Sequence, residues 1–268
     1  MWHLSDQIHQ TTLEQREQST TAGSAKHIDE SGMQSSRSFA PFDEIVLASG
    51  SPRRREILQA IGVPVTVRTF DTPEDMDPAW TPQEAVCALA RRKAQMARER
   101  LYQTVQSDQE QEGHFKNNAP EKHRVLILAA DTLVALDGKV LGKPRDAHDA
   151  TQMLQMLSGR AHQVYTGMAA ADMADGDVFD ICSVSTVYFR TLTEQQIKRY
   201  VASGEPMDKA GAYGIQGQGA MLVERMDGDF FGVMGLSVYS LHKLLWERFG
   251  LDIFCCAQGS QGSQQRFE

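Results

Sequence analysis

The stretch LASGSPRRREIL, residues 47–58, determines how the first part of this chain folds. It begins in an apolar run over residues 45–48, which is typical of a strand, and breaks into a loop of small residues. Ser51 then stands at the N-cap position of a helix, and Pro52 takes the first helical position, where its missing N–H costs nothing. A strand that enters a helix through such a loop turns free backbone N–H groups toward one point, which favours phosphate.

Two or three arginines follow in the first helical turn, beginning with Arg53 and Arg54. Their guanidinium groups match phosphate oxygens in a bidentate manner. The same cluster is also compatible with an ordinary solvated basic helix start, because charge clusters are common on exposed faces. We prefer the anion-binding interpretation of this segment.

Composition limits what kind of protein this is. The 268 residues are 41% hydrophobic and 23% charged, which is usual for a soluble globular chain. The net charge of −8 argues against general nucleic-acid binding, so an anion site must be local. No apolar window is long enough to span a bilayer, and residues 1–30 lack the pattern of a secretory signal.

The four cysteines indicate a cytoplasmic protein with reduced thiols. They form no CxxC pair and stand in no cluster with histidines at zinc-ligand spacing. They are Cys87, Cys182, Cys255 and Cys256.

The chain divides into one domain with flexible flanks. Residues 1–42 are polar and predict a disordered extension, and residues 253–268 predict a flexible tail. Residues 43–252 are of domain size, with a flexible insertion at 103–122 that shows no periodicity.

Within this domain, helices alternate with strands of both parallel and hairpin type, which predicts an α/β fold on a mixed sheet. The expected strands cover residues 44–48, 63–70, 125–130, 133–136, 139–141, 162–171, 178–190 and 220–226. The expected helices cover residues 52–61, 81–101, 146–157, 193–202 and 236–249.

Asp131 is the strongest candidate for a catalytic group. It follows the most apolar strand, where an ionised carboxylate must be paired, metal-bound or shifted in pKa. Open α/β sheets build their active sites at the carboxyl ends of such strands. The alternative is that Asp131 caps the following turn.

Two lysines and a glycine-rich segment complete the set of candidates. Lys143 follows a predicted Asp137-Gly138 turn, whereas Lys93 lies on a long helix, where by itself it indicates solvated surface. The segment GEPMDKAGAYGIQGQG, residues 204–219, lets backbone approach a ligand but has neither Walker A nor dinucleotide-binding spacing. Tyr213 and Gln216 suit stacking on a base and hydrogen bonding to its edge. The lone histidines, such as His162, are more typical of packing than of catalysis.

Taken together and in order, these segments closely resemble the Maf (septum-formation) family of nucleoside triphosphate pyrophosphatases. The resemblance rests on LASGSPRRREIL, on ADTLVALDGKVLGKPRD at residues 130–146, on Leu-Ser-Gly at residues 157–159 and on the glycine-rich segment with residues 227–236. It implies a Maf/inosine-triphosphatase-like α/β fold, a mixed twisted sheet flanked by helices with a central cleft. It also implies a divalent cation, Mg²⁺ or Mn²⁺, a homodimer, and hydrolysis of the α–β phosphoanhydride to a monophosphate and pyrophosphate.

The resemblance assigns roles residue by residue. The catalytic carboxylate is expected at Asp131, which would bind the metal ion together with a second carboxylate carried over to Glu74. The expected phosphate-binding residues are Ser51, Arg53, Arg54, Lys93 and Lys143. The positions that separate the family's branches are Arg53, Thr132 and Gln216, and they resemble the branch that acts on dTTP, UTP and modified pyrimidine triphosphates. Ser237 departs from the family, which usually has proline there.

Two other classes of protein are alternatives to a hydrolase. A non-catalytic nucleotide-binding regulator of cell division is suggested by the family's association with septum formation. The intact Asp131 among its cations argues for catalysis, because a pure binder needs no carboxylate to activate water. A nucleic-acid-binding module is disfavoured by the acidic balance and by the lack of an aromatic-basic stripe.

Overall fold

The computed structural model describes residues 42–111 and 124–254, without the side chains of 108–111. In these ranges the strands are β1 Glu44–Leu47, β2 Thr66–Val67, β3 Val125–Leu136, β4 Lys139–Leu141, β5 Ala161–Asp172, β6 Val178–Phe189 and β7 Val223–Asp227. The α-helices are α1 Pro52–Ala60, α2 Pro82–Gln111, α3 Ala147–Leu157, α4 Glu194–Ala202, α5 Phe230–Met234 and α6 Val238–Phe249. No helix in these ranges is long and apolar enough to cross a bilayer.

The seven described strands form one mixed sheet in the order β2-β1-β3-β5-β6-β7, with β4 beside β3. β1 runs parallel to β2 and β3, and the other neighbours are antiparallel. The apolar run that begins β3 is buried because helices cover both faces of this part of the sheet. The α/β mixed sheet predicted from the sequence is confirmed.

β3 is one continuous strand, although the sequence predicts a break after Ala130. It stays extended because β5 pairs with it without interruption from Leu126 to Ala135. β1 pairs with β3 only as far as Leu128 and then turns away into the loop that precedes α1. Asp131 therefore lies in the middle of a strand. The cleft opens at Asp131 because β1 no longer pairs with β3 there.

Helix α2 lies very close to one face of the sheet. Ala90, Ala94 and Ala97 are fully buried along its inner side. Gly167 of β5 lies directly beneath the helix, and a Cβ added there would stand 2.5 Å from the carbonyl oxygen of Val86. Small side chains on both elements thus set the height of α2 above the sheet.

Two larger clusters of buried side chains pack elsewhere on the sheet. α1 and α6 cover the opposite face of the sheet, where Leu241, Leu244 and Leu245 of α6 are buried. α3 and α4 pack with the far parts of β3, β5 and β6 in a separate cluster. The cleft lies between these two clusters, as the family resemblance implies.

Several local predictions are confirmed and others need correction. Thr81 and Thr193 form the predicted caps of α2 and α4. β2 covers only Thr66–Val67, shorter than the predicted 63–70. α2 continues to Gln111, into the segment predicted as a flexible insertion, because its residues after 101 include good helix formers and no glycine or proline.

Only the inner ends of the predicted flanks are among the residues that the structure describes. Phe42 and Ile253, which the sequence assigns to the flexible ends, are buried in the core. Residues 1–41, 112–123 and 255–268 lie outside the described residues, so the predicted extension, most of the insertion and the tail stay predictions.

Candidate active site

A cleft of about 740 Å³ lies where β1 and β3 diverge. Its walls come from the loop before α1, the middle of β3, one side of α2 and the glycine-rich segment after α4. A volume of this size suits a nucleotide or another small ligand. A smaller cavity of about 430 Å³ adjoins it and shares Ser49, Gly50, Glu74 and Lys93.

Lys93 joins two of the acidic groups that line the cleft. Its Nζ lies 2.8 Å from Asp131 Oδ1 and 2.8 Å from Glu74 Oε1. The Lys93 and Asp131 side chains are only 17% and 15% exposed, whereas Glu74 is 65% exposed. The hydrogen bond from Lys93 holds the pKa of Glu74 below its ordinary value. The helix alone suggests a solvated lysine, but the structure places Lys93 against the candidate catalytic carboxylate.

The start of α1 has the predicted form. Ser51 occupies the N-cap position in an extended conformation, and Pro52 is the first helical residue. The Ser51 side chain makes no capping hydrogen bond, so its hydroxyl and the first-turn N–H groups remain available for an anion. Arg53 lies at the same mouth, 3.2 Å from Asp208 Oδ2.

Arg54 is directed inward, in contrast to Arg53. Its Nε donates to the Gly235 carbonyl at 2.9 Å, and its two terminal nitrogens donate to Ser49 Oγ at 2.9 Å and to Thr132 Oγ1 at 3.2 Å. Burial lowers the pKa of its guanidinium, although nearby Asp131 opposes that shift. Three of its five N–H groups therefore hold the loop before α1 to β3 and to the residue that follows α5.

Thr132 lies on the opposite face of β3 from Asp131, because successive side chains of a strand alternate. The Thr166 hydroxyl donates to the Gly232 carbonyl at 2.7 Å and lies 3.1 Å from the Thr132 hydroxyl. Since the Thr166 hydroxyl donates its hydrogen to Gly232, the Thr132 hydroxyl donates to Thr166 and accepts from Arg54. Thr132 thus has one acceptor lone pair left to offer a ligand.

The glycine-rich segment forms three short 3₁₀ turns that present Gln216 at the cleft wall. Glu205 organises this segment, accepting from the N–H groups of Gln218 and Gly219 at 2.9 and 3.0 Å and from the Tyr200 hydroxyl at 3.0 Å. Tyr200 also accepts from Gly214 N–H at 3.2 Å. Glu205 and Tyr200 are not predicted from the sequence, because no local signal shows that this carboxylate and a tyrosine from α4 meet.

Tyr213 has a different place from the one that the sequence suggests. Its side chain is packed against Phe189 and His162, and the residue is only 5% exposed. Its hydroxyl lies 2.7 Å from His162 Nε2. Tyr213 therefore supports the cleft wall from within the core, and His162 is a buried packing residue as expected.

Lys143 lies on the exposed side of the cleft, after the β3–β4 turn. It has no ion-pair partner among the residues that the structure describes, while its charge helps to lower the pKa of Glu74. The turn itself has the predicted Asp137-Gly138 form, with both residues at positive φ. The structure thus brings the predicted residues of the site around one cleft, with Arg54 acting mainly on the protein itself.

Two carboxylates of the cleft are candidate ligands for a divalent cation. In the ranges 42–111 and 124–254, no group of three or more His, Cys, Asp and Glu side chains forms a ready metal site. Asp131 and Glu74 nevertheless converge on one cation, the Lys93 ammonium, and each keeps a second oxygen. Two carboxylates fit a Mg²⁺ ion that takes its other ligands from water and phosphate.

Fold and cleft together define an α/β protein in which basic side chains surround a half-buried carboxylate in one cleft. Residues 44–248 match the family model of Maf-like proteins, and the chain belongs to the Maf family. It is 44% identical over 201 residues to a dTTP/UTP pyrophosphatase of Escherichia coli O6:K15:H31, covering 75% of this chain and 91% of that protein. Proteins of the same name from Moorella thermoacetica and Chromobacterium violaceum are 42% identical, over 80% and 78% of this chain and 98% and 96% of theirs.

Proposed function

We propose that this protein hydrolyses dTTP and UTP, together with modified pyrimidine triphosphates, to the nucleoside monophosphate and pyrophosphate. The observation that carries the proposal is the contact between Asp131 and Lys93 at the floor of a cleft whose mouth holds a free helix N-terminus and Lys143. A carboxylate beside several cations is the arrangement required to activate water next to a polyphosphate.

In this mechanism Asp131 orients a water molecule and accepts its proton as the oxygen attacks the α-phosphorus. The bond from the α-phosphorus to the α–β bridging oxygen breaks, and pyrophosphate leaves with that oxygen. Lys93, Lys143 and Arg53 offset the charge that develops on the leaving group, together with the Ser51 hydroxyl, since the Ser51 N–H already donates to Ser49 Oγ. Positioning and electrostatic stabilisation supply most of the rate in such reactions.

A divalent cation, Mg²⁺ or Mn²⁺, belongs to this proposal. Asp131 and Glu74 would hold it through the oxygens that do not bond Lys93, and it would supply positive charge to the triphosphate. Lys93 keeps both carboxylates turned toward the same point before substrate enters.

Selection of the base is assigned to Gln216, Thr132 and Arg53. The Gln216 side chain is exposed at the cleft wall and carries both a donor and an acceptor, which a pyrimidine edge requires. Thr132 offers only an acceptor and also fixes Arg54, so it acts partly through position. We expect Arg54 to bind phosphate only with the N–H groups that its protein contacts leave free.

We further propose a homodimer. Tyr239 and Trp246, seven residues apart on α6, lie on the same side of the helix and are 74% and 57% exposed. Large exposed aromatic side chains are enriched at protein interfaces. Light scattering on the native chain and on a Tyr239→Ser/Trp246→Ser variant tests this, and a monomeric native protein would contradict it.

A panel of dTTP, UTP, CTP and GTP with Mg²⁺ tests the activity. We expect pyrophosphate and monophosphate from the first two substrates. Orthophosphate as the product would contradict the bond assignment. Nucleotide binding without turnover in the native protein would instead favour the second candidate, a nucleotide-binding regulator of cell division.

A further inference from the structure

Two cysteines far apart in the chain face each other on the side of the domain that α2 covers. Cys87 lies on α2 and Cys182 lies on β6, and both are half-buried free thiols. Neither takes part in the proposed hydrolysis.

The sheet register places Cys182 under α2. Cys182 is paired with Gly167 of β5, so both residues face the same side of the sheet. Gly167 lies directly beneath Cys87 of α2, since a Cβ added at Gly167 would stand 3.1 Å from the Cys87 backbone nitrogen. The two cysteines are therefore neighbours across the interface between α2 and the sheet.

An ion pair beside them fixes the alignment of the two elements. Arg91 Nε lies 2.7 Å from Asp180 Oδ1. Cys87 is four residues before Arg91 on the helix, a rise of about 6 Å. Cys182 is two residues after Asp180 on the strand, a rise of about 7 Å. The displacement along the strand nearly equals the displacement along the helix, so Cys87 faces Cys182.

The thiols interact with each other. A hydrogen bond from Cys87 is the main cause that lowers the pKa of Cys182, and that contact raises the pKa of Cys87. Cys182 is thus the more acidic thiol of the pair, and in its protonated form it donates to the Ser183 carbonyl at 3.6 Å. The thiolate is the nucleophilic form of cysteine.

We propose that Cys87 and Cys182 form an oxidisable dithiol that hydroperoxides convert into a disulfide linking α2 to β6. The Cys182 sulfur attacks the terminal peroxide oxygen, which gives a sulfenic acid and releases an alcohol, or water from hydrogen peroxide. The Cys87 sulfur then attacks the sulfenic sulfur, and the hydroxyl leaves as a second water with the Cys87 proton. In total, two thiols and one hydroperoxide give one disulfide, one alcohol or water, and one water.

The link would fasten the helix that carries Lys93. Asp131, Gly167 and Cys182 stand in one cross-strand row, and α2 runs over that row. A disulfide at Cys182 would hold α2 at one end of the row, while Lys93 holds it at the other end through Asp131. Reversible disulfides of this kind are known in cytoplasmic proteins as redox sensors.

The test uses the full chain with Cys255→Ser and Cys256→Ser, which removes the two thiols outside the described residues. The folded protein is titrated with hydrogen peroxide, free thiols are alkylated, and peptides are mapped without reduction. We expect a peptide joining Cys87 to Cys182, an intact mass lower by two hydrogens, and reversal by dithiothreitol. The thermal midpoint of the oxidised form should be several degrees higher, because a bridge across a long loop restricts the unfolded chain.

A register control moves the thiol by one residue. In a Cys182→Ser/Ser183→Cys variant the new thiol faces α5, because Ser183 Oγ lies 3.0 Å from where a Cβ of Gly232 would stand. We expect no link to Cys87 in that variant. Equal cross-linking in the control, sulfinic or sulfonic acids on separate cysteines, or thiols that stay free while glutathione is fully oxidised would each overturn the proposal. The peptide map of the parent protein decides the outcome even if the control does not fold.

Discussion

Asp131 of β3 and Gly167 of β5 are paired directly across the sheet, and α2 crosses the sheet on the face to which both belong. The missing side chain at Gly167 lets α2 approach closely enough for Lys93 to reach Asp131 at 2.8 Å. The Lys93–Asp131 contact and the packing of α2 on the sheet therefore depend on the same pair of residues, Asp131 and Gly167.

Replacing Asp131 by asparagine should abolish turnover while the fold and nucleotide binding persist. Asparagine keeps the shape but cannot accept the proton of water, and general bases contribute about 10²–10⁴-fold. We expect kcat for dTTP to fall by at least that lower factor. Asp137→Asn is the matched control, because Asp137 lies in the exposed turn at positive φ, which asparagine tolerates. An active Asp131→Asn enzyme would remove Asp131 from the mechanism.

Gly167→Ala should lower both stability and activity. The new methyl group would stand 2.5 Å from the Val86 carbonyl oxygen, so α2 must move away from the sheet. Overpacking of this kind costs about 1–3 kcal/mol, and the shift also weakens the Lys93 contact with Asp131. Chemical denaturation and dTTP hydrolysis measure the two effects. Gly142→Ala is the control for stability, since a Cβ there meets nothing within 4 Å.

Glu205→Ala should impair substrate binding more than chemistry. The change leaves the N–H groups of Gln218 and Gly219 without their acceptor, which costs about 1–3 kcal/mol for each group that stays buried and unpaired. The segment that presents Gln216 then loosens. We expect KM for dTTP to rise and discrimination against CTP to fall, with kcat changed less. Glu224→Ala, on an exposed position of β7, should leave all three unchanged. A fall in kcat alone would assign Glu205 a different role.

Stability should fall as the pH drops through the range in which His162 titrates. Burial lowers the pKa of His162 from 6.5 to about 4. Between these values the unfolded chain binds the proton and the folded protein does not, so acidification favours unfolding by up to about 1.4 kcal/mol per pH unit. His162→Gln should flatten the dependence of the unfolding free energy between pH 6.5 and 4. If the variant retains the native slope, other groups cause it.

Ser237→Ala should destabilise α6 by about 1–2 kcal/mol. The Ser237 hydroxyl accepts from Ser240 N–H at 3.1 Å as the N-cap and donates to Asp229, which in turn caps α5. Urea unfolding measures the loss, and Ser240→Ala is the control because it keeps its backbone N–H. Equal stability of the two variants would show that the cap contributes nothing measurable.

Local signals in the sequence identified most of the elements. The Ser51-Pro52 helix start, the Thr193 capping box and the Asp137-Gly138 turn are confirmed, because each depends on residues next to one another. The predicted end of α2 was wrong, because a helix with few breaking residues has no marked end in the sequence. The predicted length of β2 was also wrong, because the length of a strand depends on its partner.

The sequence by itself determined the family, the α/β class and the identity of the residues around the cleft, because those properties reside in ordered motifs. Only the tertiary structure decided that Lys93 is a partner of Asp131, that Arg54 fastens the loop before α1, that Tyr213 is buried and that Glu205 organises the segment carrying Gln216. The physical reason is that these contacts join residues far apart in the chain. Their distances are set by strand register and by the height of α2 above Gly167, and neither quantity is encoded in local sequence.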